Sequence, residues 1–202
     1  MLVQSFLHHN GAPAQAGSAE AHSGGAVGSL LARYARVRAL TEALAAPLSE
    51  ADAVLQSMDD ASPAKWHLGH VNWFFETFLL TKRSGGYRPF DERFGFLFNS
   101  YYETVGTHLE RGVRGMLSRP LLSEVLQWRA YVDEAMERLI LAGDAPVELV
   151  ELGLAHEQQH QELLLTDIKH AFWRNPLGPA MWSEPRQPIA GQCGAGWSRY
   201  LC

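Results

Sequence analysis

Residues 152–170 read LGLAHEQQHQELLLTDIKH, with two histidines, His156 and His160, four positions apart in its first half. On a helix, positions i and i+4 project from one face a turn apart, the spacing at which two ring nitrogens can meet one metal ion. Leu149, Leu152 and Leu163 share that face, so the imidazoles point into a core. A buried imidazole without a partner costs roughly 1–3 kcal/mol, so the pair needs something to bind. The stretch therefore predicts a long core-lining helix, starting near Ala145-Pro146 with Glu148 in its first turn and ended by Asn175-Pro176.

Working outward, the same periodicity recurs three more times. Ser29 is an N-cap type ahead of Leu30, Leu31, Tyr34, Val37, Leu40 and Leu44, which repeat at helical spacing. Ser62-Pro63 opens a helix over residues 63–82, on which only Lys65, Gly69, Asn72 and Glu76 form a polar strip, so most of its surface is buried. Val125, Leu126, Trp128, Val132, Met136, Leu139 and Ile140 define a helix over 123–141, stopped by Gly143. A shorter helical piece is expected at 50–58. Residues 83–121, rich in Gly and Pro, read as a long and therefore functional connection. Four long helices, one long crossover and no alternating strands predict an all-α four-helix bundle over 29–176, between a flexible lead-in, 1–28, and an irregular tail, 177–202.

Composition narrows the partners. The chain has 202 residues, 47% apolar and 19% charged, which is enough to bury a core. Its 17 Lys and Arg against 22 Asp and Glu, net −5, do not supply the positive excess that nucleic-acid binding uses. Apolar runs fall short of the ~18 residues a membrane span needs, and no secretory signal is evident. Both cysteines, Cys193 and Cys202, sit at the C-terminus, so no disulfide framework crosses the core and a reducing cytoplasm is expected.

In bundles, metal sites are built from side chains on facing helices, and the helix over 63–82 offers His70 on a face with Trp66, Trp73, Phe74 and Thr77. His67 lies about 60° round from it and is the weaker ligand candidate. A single buried histidine is more often a hydrogen-bonded core residue; the His156–His160 pair is what turns the balance toward coordination. Three imidazoles leave about three positions open if the metal is iron. Asp167, about 10 Å along the helix from His160, suits a supporting role or an ion pair better than coordination. His156-Glu157-x-x-His160 also spells the HExxH of zinc proteases, in which the Glu is general base. No further ligand motif follows, and no strands offer a substrate-binding edge.

Four segments together carry a resemblance. Residues 62–78 (SPAKWHLGHVNWFFETF), 98–102 (FNSYY), 114–120 (RGMLSRP) and 152–170 resemble, in order, the N-terminal half of the ergothioneine-biosynthesis sulfoxide synthases, the EgtB family. That half is a DinB-like four-helix bundle. The resemblance implies a non-haem Fe(2+) enzyme that uses O2 to join the sulfur of cysteine or γ-glutamylcysteine to hercynine. It implies His70, His156 and His160 as iron ligands, Gln159 as hydrogen-bond partner of the hercynine imidazole, and Arg111 and Arg114 as carboxylate binders. For both arginines, a solvated loop is the competing reading. The family continues into a second domain that resembles the formylglycine-generating enzyme fold. Nothing after Leu177 resembles it, which points to a truncated or frame-shifted reading and leaves open whether a separate chain supplies the second domain in trans.

Two other classes compete: a stand-alone DinB-like zinc or nickel enzyme acting on thiols, and a non-catalytic interaction bundle whose histidines hold no metal.

Overall fold

The structure, a computed structural model, describes residues 20–83, 85–100 and 106–182, with side chains from residue 27 onward. The expected lead-in up to residue 19, the tail from 183, and Tyr101 and Tyr102 lie outside the described residues. Among those described there is no strand, and the helices in order are α1 (Glu20–Ala45), α2 (Ala64–Phe75), α3 (Thr81–Arg83), α4 (Phe94–Leu97), α5 (Leu122–Leu141) and α6 (Val147–Arg174). The all-α bundle predicted from periodicity is the observed architecture. Its principal contacts run from α1 to α5 and α6, and from α2 to α5 and α6, which sets α1 across from α2.

Every residue of α2 is buried. Lys65, Gly69, Asn72 and Glu76 therefore do not form a solvated strip; each has a partner inside. Lys65 Nζ donates to the Leu117 carbonyl at 2.7 Å, and Asn72 Nδ2 to that of Val125 at 3.2 Å. Glu76 accepts from the Tyr87 hydroxyl at 2.6 Å, the Phe90 amide at 3.0 Å and Trp128 Nε1 at 3.1 Å. Gly69 leaves room for the Phe98 ring, since a Cβ there would lie 2.2 Å from it. Immediately after α2 the chain widens into a π-helical turn, Glu76–Leu80, before α3.

Helix ends differ from expectation in instructive ways. α1 begins at Glu20, so Ser29 is inside the helix; no proline stands between residues 20 and 28 to stop it. The helical piece expected at 50–58 is only a 3₁₀ turn, Asp52–Val54. Pro63, not Ser62, is the N-cap of α2, and the Ser62 hydroxyl instead accepts from Arg114 Nη1 at 2.9 Å. α5 takes its cap from elsewhere in the chain: Glu50 accepts from the amides of Leu122 and Ser123 at 2.7 and 3.1 Å. Its other end closes as expected on Gly143 at φ 76°, with Asp144 N–H reaching Leu139 O and Gly143 N–H reaching Ile140 O. Residues 175–182 form no regular element.

Candidate metal centre

α6 presents His156 and His160 toward α2, as the four-residue spacing requires, and α2 answers with His70. One ring nitrogen from each of the three lies within 4.8 Å of the others, a group that could hold a metal ion. His70 and His160 are buried and His156 is half-buried. The His70 ring is stacked between the indoles of Trp66 and Trp73, with centroids 4.6 and 5.3 Å away and planes within 13° and 12°. His156 meets it nearly edge-on at 4.9 Å and packs on Phe74 at 4.9 Å.

Hydrogen bonding fixes how His70 is used. Its Nδ1 lies 2.6 Å from the carbonyl oxygen of Phe98. A carbonyl only accepts, so Nδ1 carries the proton and Nε2 keeps its lone pair for a ligand. Phe98 caps the single turn of α4, which is how the long crossover reaches the centre. Burial, reinforced by the neighbouring His156, holds His70 well below the ordinary imidazole range. Burial likewise pushes His156 down to about 4, and burial with the crowding of His70, His67 and His156 pushes His160 down further. All three are neutral at physiological pH, the state in which imidazole binds metals. His156 Nδ1 is buried without a hydrogen-bond partner. An orphaned nitrogen beside two neutral imidazoles fits a borderline divalent cation.

Glu157, the Glu of the HExxH pattern, faces the other way. One residue on from His156, it is turned about 100° round α6. There it is fully buried among α1 and α5, accepting from Thr41 Oγ1 at 2.6 Å, Arg38 Nη1 at 2.9 Å and Arg129 Nη2 at 2.5 Å. Burial alone would raise its carboxyl, but Arg38 and Arg129 outweigh that and hold it at about 2. Arg38 also reaches Asp133 and Asn72, so the network joins α1, α2, α5 and α6. A carboxylate clamped this way has no access to a metal-bound water, which removes the protease reading.

The residues named by resemblance lie around the histidines in different states. Gln159 is exposed on α6, one residue before His160. Arg111 and Arg114 both lie in the 3₁₀ turn Arg111–Met116, which Gln56 ties down through Arg111 O at 2.7 Å and Gly115 N at 2.6 Å. Arg114 is buried, its guanidinium 3.4 Å from the centre of the Trp66 ring. It is near enough to His160, His70 and His67 for its charge to help lower all three. Arg111 is half-buried, and its Nε has no hydrogen-bond partner. A solvated loop is therefore not what holds either arginine.

His67 and Asp167 take a larger part than sequence suggested. His67 Nδ1 lies 2.9 Å from His160 Nδ1, and its Nε2 lies 3.0 Å from Asp167 Oδ2. The signal was Asp167 lying seven residues after His160, which is two turns and the same face. His170, on the same stretch, bonds to the Ser57 hydroxyl at 2.7 Å instead.

Among the described residues no helix is long and apolar enough to cross a membrane. Comparison with curated proteins finds no match. The family model of the DinB superfamily matches residues 33–164, a span that takes in α2, α5, most of α6 and all three histidines, and the chain belongs to that superfamily.

Proposed function

We propose that this chain is the metal-binding part of a non-haem iron(II), O2-dependent sulfoxide synthase, joining the sulfur of cysteine or γ-glutamylcysteine to hercynine. The observation that supports it most is the three-histidine group on two facing helices, with no carboxylate among its members. When bound, iron(II) supplies redox capacity and open positions at which thiol, imidazole and O2 can be brought together. The overall reaction balances as thiol plus imidazole C–H plus O2 giving sulfoxide plus water. Two electrons come from joining sulfur to carbon and two from oxidising the sulfur.

In this reading the chain's own residues position the reactants. Neutral histidines leave the positive charge of the centre undiminished for a thiolate. Exposed Gln159 offers an amide to the hercynine ring. Arg111, with an unpartnered Nε, takes a substrate carboxylate, and Arg114 adds charge from its seat over Trp66. The rest of the pocket comes from a second domain, in the same protein or in trans.

The test is protein purified without oxygen and loaded with iron(II), then given hercynine, either thiol and O2, with and without the second domain added as a separate chain. Sulfoxide seen by mass spectrometry, and lost in His70→Ala, His156→Ala and His160→Ala along with the bound iron, is the expected outcome. Tight zinc with no affinity for iron would sink the proposal. The second reading, a zinc or nickel enzyme acting on thiols, draws on the superfamily match, which specifies no metal. It predicts thiol consumption that continues without O2.

A further inference from the structure

Asp167 Oδ2 accepts the Ser62 amide at 2.8 Å and faces His67 Nε2 at 3.0 Å; His67 Nδ1 in turn faces His160 Nδ1 at 2.9 Å. His67 and Asp167 are both buried. Two nitrogens 2.9 Å apart in a buried contact must share one proton between them, and the far end of the chain of contacts decides which holds it. A carboxylate accepts, so His67 Nε2 carries a proton. An imidazole that holds one proton and gives it from Nε2 to the carboxylate keeps its Nδ1 as a lone pair. His160 Nδ1 must then donate, and the nitrogen left with a lone pair is His160 Nε2.

We infer that Asp167 and His67 form an outer relay, Asp167 to His67 to His160, that fixes His160 as an Nε2 ligand and raises its donor strength. This rests on the three-histidine centre binding a metal, and not on the reaction proposed for it. Both are positioning residues, because neither lies in the ligand group. The relay makes the centre asymmetric: His70 leans on a neutral backbone carbonyl, whereas His160 leans, through a second imidazole, on an anion. Because Asp167 also holds the amide of Ser62, at the start of α2, the relay locks the end of α2 nearest the arginine turn against α6.

The full chain labelled with 15N tests this directly, metal-free and loaded with zinc, which is diamagnetic. Long-range 1H–15N correlations should show His160 protonated at Nδ1 and His67 protonated at Nε2 in both forms, with zinc on His160 Nε2. Protonation of His160 at Nε2 in the metal-free chain, or zinc on His67, overturns the relay. Zinc affinity by competition with a chelating dye provides the second measurement. His67→Phe should weaken binding roughly 10- to 100-fold, and Asp167→Asn, which keeps an acceptor oxygen but not the charge, by less. His67→Gln, able to accept at one atom and donate at another, should recover part of the loss. A folded His67→Phe chain with native zinc affinity would overturn the inference while leaving the centre standing. If the unaltered chain binds no zinc or iron, the centre itself fails, and the metal-free tautomers still decide the relay. They also decide it should His67→Phe not fold.

Discussion

Glu157 shows how far one residue step can carry a side chain in function. Between two histidines that face α2, it is the anion that two buried arginines, Arg38 and Arg129, depend on. Glu157→Gln keeps the shape and removes the charge, leaving Arg38 to the part-exposed Asp133 and Arg129 to the exposed Glu42. We expect a loss of about 3–5 kcal/mol in urea unfolding, with metal stoichiometry unchanged wherever the variant remains folded. Loss of bound metal at native stability would instead put Glu157 in the centre. The sequence pattern alone spells a general base here, because a five-residue string carries no information on what packs against its other face. The histidines were legible because their spacing matches the helix period. The acceptors that orient them were less so: the Phe98 oxygen is backbone and has no sequence signature, and His67 needed the position of Asp167 to be understood.

At the scale of elements, the four long helices follow from apolar periodicity, but their ends and close approaches depend on residues far away in sequence. α5 is capped by Glu50, a residue that no local reading of 121–124 supplies. Glu50→Ala should cost about 1 kcal/mol in thermal or chemical unfolding, the usual value of a lost N-terminal cap. Gly69 is the more consequential position. Its missing Cβ admits the Phe98 ring, and the Phe98 carbonyl orients His70. Gly69→Ala, although it favours helix, should destabilise by about 1–3 kcal/mol through overpacking and weaken metal binding as well. An unchanged metal affinity, measured by chelator competition, would separate Gly69 from the centre. The burial of Lys65, Asn72 and Glu76 was hidden for a similar reason: polar residues in one stripe look like a solvated face until their partners on α1, α5 and the crossover are known.

For the molecule as a whole, the buried ionisable groups set a pH dependence of known sign. His156 is held at about 4 against an ordinary 6.5, and His67, His70 and His160 are also depressed. Between those values the unfolded chain binds protons that the folded chain refuses, so the metal-free protein gains stability as pH rises through the window and loses it as pH falls. Glu157 acts in the same direction lower down: held at about 2 against 4.5, it contributes fully above 4.5 and progressively less below. Melting temperature should therefore drop steadily from pH 7 to pH 4, and a flat profile would contradict the neutral, buried assignment of the histidines. Bound metal should move the whole curve up and make its acid side steeper, since protons compete for the same nitrogens.

The stacking of His70 between Trp66 and Trp73 has an optical consequence. Two indoles lie on the faces of the ring that would coordinate, so their fluorescence is coupled to what that ring holds. An ion with a partly filled d shell, such as iron(II), cobalt(II) or nickel(II), should quench their emission on binding, whereas zinc, with a closed shell, should leave it bright. The chain thus carries its own probe, and a simple emission titration can tell which class of ion has arrived.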